Sequence, residues 1–198
     1  MHQIINQRRK FKSMAMRFFD TVNKELELEL PEFERFDDHL DYVLGQVYKW
    51  SEDLYEEDFY VAKRWLEVRE ENNFYESVLH IFNPNGEYMI SIDGNIQKGA
   101  WRFLAENNTF ITEILGKNEL YDLAFLNQDF FILMKHGDQH RKGQRKYFVM
   151  GREGVVAGLT WREVVEMLFN LYRDNSRFLL LILGAVVVAG IIIAFSLR

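Results

Sequence analysis

The residues best suited to metal chemistry lie in one polar stretch, residues 136–144, with the sequence HGDQHRKGQ. His136, Asp138 and His140 alternate there, and imidazole nitrogens and carboxylate oxygens are ligands that zinc accepts. Three such residues on a glycine-containing loop are more often solvated than metal-bound, because no supporting second layer of residues is evident. We expect no metal and no other cofactor, and keep these three residues as the candidates for a metal site.

Basic residues extend this stretch toward the next apolar run: Arg141, Lys142, Arg145 and Lys146. Clustered lysine and arginine side chains attract the charged headgroups of anionic lipids. We therefore expect this cluster to contact a phosphate or a lipid headgroup, and we count anionic lipid among the partners.

Motifs for catalysis are absent from the sequence. No nucleophile elbow, phosphate-binding loop or dinucleotide fingerprint occurs, and zero cysteines remove thiolate chemistry. The acidic run at residues 51–58, SEDLYEED, lacks the spaced ligands and central glycine of a calcium loop. We expect no catalytic residues and no enzyme.

An uncharged run of twenty residues, 178–197, lies next to the C-terminus. At about 1.5 Å per residue, such a helix is about 30 Å long, enough to cross the hydrocarbon core of a bilayer. We predict a membrane span here that includes Phe178, Gly184, Gly190 and Phe195; the alternative is a buried helix of a soluble core.

The flanks of this run indicate its orientation and its partners. Arg173 and Arg177 precede it, only Arg198 follows, and nothing near the N-terminus resembles a signal peptide. These features predict a single-pass, tail-anchored protein whose N-terminal domain lies in the cytoplasm. Small residues four apart on the run (Ala185 and Ala189, Gly190 and Ala194) favour contact with a second copy or with other membrane proteins.

Charge is segregated along the rest of the chain, although the net charge is −6. Residues 1–26 form a basic amphipathic pattern that either packs on the domain or lies among lipid headgroups. Residues 24–58 are strongly acidic. This distribution argues against binding of nucleic acid.

Two further stretches have helical periodicity. Residues 31–50 place an apolar face opposite acidic residues. Thr160 and Glu163 form a capping box that opens an amphipathic helix. Because no proline or glycine separates this helix from Phe178, we predict one nearly continuous helix over about residues 161–195, its first half docked on the barrel or on the helix at residues 33–50.

Between these helices, short aromatic and β-branched runs alternate with turn residues, which predicts an antiparallel meander. Tyr121, Leu123 and Phe125 are expected on one apolar face, and four phenylalanines could fill a small barrel: Phe103, Phe110, Phe125 and Phe131. We expect a small barrel or half-barrel. The predicted strands lie near residues 63–70, 77–82, 87–92, 99–105, 109–115, 120–126, 130–135 and 146–150.

Residues 65–137 resemble the bacterial lipocalin-like domains. The resemblance rests on Trp65, on a strand that ends in Phe82, on Gly86-x-Tyr88 and on Gly99-x-Trp101, followed by the apolar strands at residues 120–126 and 130–133. It implies a meander barrel that could hold an apolar ligand, and it implies no catalytic residue.

Together these patterns predict an α+β protein with N-terminal helices, an antiparallel β-meander and a C-terminal amphipathic helix that runs into a transmembrane helix. The expected segments are residues 1–58, 59–152, 153–177 and 178–197. We expect a non-enzymatic scaffold of a membrane-associated complex; the alternative is a cytosol-facing lipocalin-like module that binds a lipid or another small apolar ligand.

Overall fold

A computed structural model of the chain describes residues 29–70, 77–104, 108–137 and 145–196. Within the last range it describes the backbone, but not the side chains, of residues 176–177, 179–181, 185 and 188–196. Glu32–Leu168 form one compact unit, and Phe169–Arg198 belong to a second. The expected N-terminal amphipathic helix, residues 1–26, lies outside the described residues.

Eight antiparallel strands form a closed barrel in which each strand pairs with its neighbour in sequence and β1 pairs with β8. The sheet is therefore a complete barrel rather than a half-barrel, and the α+β class is confirmed. The strands are β1 Trp65–Val68, β2 Val78–Phe82, β3 Glu87–Ile92, β4 Asn95–Leu104, β5 Thr109–Ile114, β6 Lys117–Leu126, β7 Phe130–Lys135 and β8 Tyr147–Arg152.

Two-residue turns make β4 and β6 longer than the sequence pattern suggests. Asp93 and Gly94 connect β3 to β4 with φ of 47° and 87°. Leu115 and Gly116 connect β5 to β6 with φ of 51° and 74°. Positive φ at both central residues is the signature of the tight hairpin turns that match the twist of a sheet. The strands consequently resume at Asn95 and Lys117, whose polar side chains hide the strand pattern in the sequence.

The expected placement of Phe125 inside the barrel is wrong. Leu123 pairs with Leu133, but a bulge follows, and Phe125 pairs with Ile132 while Leu126 pairs with Phe131. One extra residue in a strand reverses the alternation of its side chains. Phe125 is therefore buried on the outer face of the barrel, and Leu126 takes the inward position.

Aromatic rings fill the barrel interior. The ring centroid of Phe110 lies 5.0 Å from that of Phe82, 5.3 Å from that of Phe131 and 5.5 Å from that of Trp101. Such edge-to-face and stacked pairs add to the stabilisation from apolar burial. The expectation that Phe110 and Phe131 fill the interior is confirmed, and Phe103 packs against the same cluster while partly exposed.

The segment between the first helix and β1, residues 51–62, closes one end of the barrel, and we call it the plug. Its Leu54 and Tyr60 side chains are fully buried against the interior aromatic residues. The Tyr60 hydroxyl donates to the Leu54 carbonyl at 3.0 Å. Backbone bonds from Glu52 to Leu126 at 2.8 Å and from Ala62 to Phe82 at 2.7 Å attach the plug to two strand ends.

The first helix, α1, is Phe36–Val47, and a 3₁₀ turn at Tyr48–Trp50 follows it. It begins later than the expected residue 31 because Arg35 is extended and His39 folds back on the chain before the helix. His39 Nε2 accepts from the Phe33 amide at 3.3 Å, and His39 Nδ1 bonds the Arg35 carbonyl at 3.0 Å. The amide of Phe33 is thus satisfied by a side chain rather than by a helical turn.

Two helices follow the barrel: α2, Glu153–Val156, and α3, Trp161–Ser196. The capping box before α3 is confirmed, since the Thr160 amide donates to Glu163 Oε2 at 2.7 Å and the Glu163 amide to Thr160 Oγ1 at 3.4 Å. The Trp161 ring packs on Phe36 at 5.2 Å, so the start of α3 docks on α1, as expected. The uninterrupted helix agrees with the absence of proline between residues 161 and 196.

Candidate functional site

Among the described residues, several inward-facing side chains near the barrel end opposite the plug are only half-buried. This end carries the β3–β4 and β5–β6 hairpins, and we call it the mouth. Its walls are apolar residues that share the inward face with core residues but are only half-buried: Ile90, Ile114, Leu123 and Phe148. In a closed barrel, an inward side chain is exposed only through an open end. The described part of the mouth therefore has apolar walls that are partly exposed.

A hydrogen-bonded chain of three polar side chains lies beneath these walls; His80 and Tyr88 are buried, and Glu67 is largely buried. His80 is 3% exposed and lies between Tyr88 and Glu67. The Tyr88 hydroxyl is 2.7 Å from His80 Nδ1, and His80 Nε2 is 3.3 Å from Glu67 Oε2. The Tyr88 hydroxyl and the Glu67 carboxylate thus engage the two ring nitrogens of His80.

Glu67 is a buried carboxylate held in its charged form. Burial by itself raises the pKa of Glu67, but hydrogen bonds from His80 and Arg69 and the Arg69 charge outweigh it and lower the pKa to about 2. Arg69 donates two bonds to this carboxylate, both at 2.8 Å, and Arg145 donates a third at 3.2 Å. Multiple charge-assisted bonds are what a buried ion needs to offset lost hydration.

A second polar pair, Tyr121 and Glu119, lies on another wall of the mouth. The Tyr121 hydroxyl donates to the Glu119 carboxylate, and Lys135 Nζ lies 3.9 Å from the other Glu119 oxygen. Burial raises the pKa of Tyr121, and the hydrogen bond to Glu119 raises it further. The pKa of Tyr88 is also raised, first by burial and then by the charges of Glu67 and Glu119.

These groups have the chemistry to bind and orient a ligand. A tyrosine with a raised pKa keeps its proton and acts as a hydrogen-bond donor rather than as a base. Glu67, with a lowered pKa, holds no proton to donate at neutral pH. The mouth therefore combines apolar walls, neutral hydroxyls and compensated charges, which is the composition of a binding site.

The structure places two of the four predicted headgroup residues. Arg145 bonds Glu67, as above, and Lys146 is directed to α1, where its Nζ lies 2.5 Å from Asp41 Oδ1. The Lys146 amide also donates to Asp37 Oδ2 at 3.1 Å. Arg141 and Lys142 lie outside the described residues, so the headgroup site stays a prediction.

Of the predicted metal-binding residues, only His136 is described. Its Nδ1 lies 3.1 Å from Asp122 Oδ2 on the outer face of β6, and its side chain is largely exposed. Asp138 and His140 lie outside the described residues. In the parts of the chain that the structure covers, no group of three histidine or acidic residues is arranged to hold a metal ion.

The predicted membrane residues lie on α3. Phe178 is exposed, Gly184 is half-buried, and Gly190 and Phe195 lie where only the backbone is described. Within the described residues, no helix has the combined length and apolar character of a membrane span. The span at residues 178–197 stays a prediction.

Sequence reasoning missed the buried polar residues of the mouth, although a signal for them exists. Glu67 stands two residues after Trp65 and His80 two residues before Phe82, so each occupies an inward position of an alternating strand. A charged or polar residue at an apolar position of such a pattern marks a buried network or a site. Tyr88 was identified only as part of the lipocalin-like pattern.

The fold and the mouth are the basis for comparison with known proteins. The eight-stranded meander barrel agrees with the fold that the lipocalin-like resemblance implies. No protein-family model, curated protein or solved structure matches this chain, so the resemblance extends to barrel architecture and no further.

Proposed function

We propose that this protein is a non-enzymatic, tail-anchored structural component of a membrane-associated complex. The observation that supports this most is the filled lower part of the barrel, where Phe82, Phe110 and Phe131 pack ring against ring and are fully buried. An interior packed in this way is dense and rigid. Such an interior suits a part that presents surfaces to partners.

The surfaces available to partners are on the outside of the barrel. Leu115 and Ile96 lie on adjacent hairpins at the mouth end and are 81% and 65% exposed. Leu115 also has a φ of 51°, a conformation that disfavours leucine and suits asparagine or glycine. An exposed leucine at a turn that disfavours it supports a role in contact with a partner.

Attachment to a membrane is part of the proposal and rests on the uncharged run at residues 178–197. The test compares the full chain with a chain that ends at Arg177. The full chain should stay in the membrane pellet after alkaline extraction, and the shortened chain should be released. Release of the full chain would contradict the anchor.

The structural role has a separate test: chemical crosslinking in mild detergent followed by mass spectrometry. Leu115→Asn should reduce the yield of crosslinked partners without loss of the barrel fold, because asparagine suits the turn. Leu120→Asn, on the outer face of β6 away from the hairpin tip, is the matched comparison, which shows whether the loss is specific to the tip. An unchanged set of partners in Leu115→Asn would contradict a contact at this hairpin.

A second candidate function is a lipocalin-like binding module. The half-buried apolar walls of the mouth, Ile90, Ile114, Leu123 and Phe148, support it, because they offer a partly exposed apolar surface above a hydrogen-bonded floor. The two functions are compatible, since the packed interior and the mouth are different parts of one barrel.

A further inference from the structure

We propose that the mouth binds a small amphiphile that carries one anionic group, a phosphate or a carboxylate, on an apolar chain or ring. This inference rests on the second candidate function, the binding module, and adds the chemical class of its ligand. The argument depends on which charged residues face the mouth.

The register of the barrel identifies the inward-facing charges at this end. Lys117 pairs with Ile114, Lys135 pairs with Tyr121, and Glu119 pairs with Thr112. Directly opposed residues of an antiparallel ladder share one face of the sheet. Since Ile114 and Tyr121 belong to the interior cluster or pack against it, the two lysines face the mouth.

Among the described residues that lie on the inward face at this end or bond to that face, cations outnumber carboxylates. The carboxylates are those of Glu67 and Glu119, and the cations are Lys117, Lys135, Arg69 and Arg145. The chain as a whole has the opposite sign, with a net charge of −6. A concave site lined with charge of one sign attracts ligands of the other sign, and its low-dielectric walls strengthen the attraction.

Each carboxylate already has a partner, whereas one cation is unpaired. Glu67 is bonded by Arg69, Arg145 and His80, and Glu119 by Tyr121 and Lys135. The Lys117 side chain forms no ion pair or hydrogen bond within the described part of the chain. A ligand anion at Lys117 would therefore complete the charge balance without displacing an internal partner.

The depth of the site favours an amphiphile over a bare anion. Below the lysines, the walls are Ile90, Ile114, Leu123 and Phe148, and their exposed area is apolar. The hydroxyls of Tyr88 and Tyr121 beneath them are already bonded to His80 and Glu119. An apolar tail can cover the walls while the anionic head stays at the rim, so both parts of the ligand contribute to binding.

The test measures binding to the full-length chain by titration calorimetry, in one non-ionic detergent throughout. Three probes separate the parts of the ligand: hexyl phosphate, inorganic phosphate and 1-hexanol. We expect hexyl phosphate to bind at least about tenfold more tightly than either fragment. Raising the salt concentration from about 0.1 M to about 1 M should weaken the binding of hexyl phosphate and leave the binding of 1-hexanol unchanged.

Variants locate the anionic group. Lys117→Met should weaken the binding of hexyl phosphate about three- to fivefold and leave the binding of 1-hexanol unchanged. Lys117→Arg should keep the wild-type affinity for both. Lys98→Met is the matched control: Lys98 lies on the same β4–β5–β6 sheet but faces outward, where it pairs with Glu87 at 2.7 Å. Probe uptake by detergent is common to all variants and cancels in the comparison.

The outcomes separate the inference from the function on which it rests. If hexyl phosphate and 1-hexanol bind equally and Lys117→Met changes nothing, the anionic class is overturned while the binding module stands. If inorganic phosphate binds as tightly as hexyl phosphate, the apolar part is overturned. If no probe binds, both the inference and the binding module are overturned.

Discussion

Arg145 donates from Nη1 to Glu67 Oε1 at 3.2 Å, across 78 positions of sequence. Glu67 is on β1 and Arg145 precedes β8, and these two strands form the ladder that closes the barrel. The ion pair therefore lies over the closing seam, and its carboxylate also accepts bonds from Arg69 and His80. Its protonation should affect the stability of the whole barrel.

Acid should destabilise the barrel through Glu67. The unfolded pKa of glutamate is near 4.3, and the folded pKa of Glu67 is lowered to about 2. The stabilisation is fully present above the unfolded pKa and is lost as the pH falls through the folded pKa. Linkage gives an upper limit of about 3 kcal/mol for this contribution. Urea unfolding, followed by the fluorescence of Trp65 and Trp101, would measure it at several pH values.

The variant Glu67→Gln isolates this effect. It should be less stable than wild type at pH 7 and should lose less stability than wild type between about pH 4.5 and about pH 2. Glu87→Gln is the control, because Glu87 pairs with Lys98 on the exposed outer surface. Parallel pH profiles for wild type and Glu67→Gln would contradict the prediction.

Gly99→Ala should destabilise the barrel strongly. A Cβ at Gly99 would lie 1.9 Å from the Glu113 carbonyl oxygen and 2.6 Å from Ile114 Cδ1. Because the closest atom is backbone, β4 and β5 would have to separate, at a cost of about 1–3 kcal/mol or more. The measurement is the free energy of unfolding in urea.

Gly45→Ala is the matched control for that substitution. Gly45 lies inside α1, and nothing lies within 4 Å of a Cβ built there. Alanine is the better helix former by about 0.8–1.0 kcal/mol, so this variant should be neutral or more stable. Equal losses in the two variants would show that the close approach at Gly99 does not govern stability.

Removal of the Tyr60 hydroxyl should loosen the plug. Tyr60→Phe leaves the buried Leu54 carbonyl without its donor, which costs about 1–3 kcal/mol. We expect faster amide hydrogen exchange in residues 51–62 and a lower unfolding midpoint. Tyr48→Phe, at a position that is 67% exposed, should leave both quantities unchanged.

The capping box before α3 should contribute about 1 kcal/mol to the start of that helix. Thr160→Ala removes the acceptor for the Glu163 amide, and Glu163→Ala removes the acceptor for the Thr160 amide. Because the two residues act as one unit, the double variant should lose less than the sum of the single losses. Hydrogen exchange of residues 161–164 is the measurement; additive losses would argue against a reciprocal cap.

The strands were predictable because turn chemistry and alternation agreed along the chain. Asp93-Gly94 lies between two apolar runs, and the hairpin forms there. The hairpin at Leu115-Gly116 was harder to place, because leucine is not a turn residue and the expected strand included residue 115. Local propensity was overridden there by the ladder between β5 and β6.

The interior network could not be predicted from one strand at a time. The inward position of Glu67 follows from alternation along β1. Its partners lie far away in sequence: His80 is on β2, and Arg145 lies just before β8. The bulge after Leu123, which reverses Phe125, carries no residue that marks it in the sequence. Such features depend on register between distant segments, which a single chain pattern does not contain.

The antiparallel seam between β1 and β8 has a mechanical consequence. Trp65, the first residue of β1, pairs with Arg152, the last residue of β8. The chain therefore enters and leaves the barrel at the same end of the β1–β8 ladder. The Arg64–Glu153 ion pair at 2.8 Å lies beside Trp65 and Arg152. A force that pulls the chain before β1 away from the chain after β8 would therefore break the hydrogen bonds of the seam one after another. If the two ends lay at opposite ends of the seam, the force would act on all of these bonds at once. If partner and membrane pull on opposite ends of this chain, the barrel is a weak mechanical link that opens between β1 and β8 first.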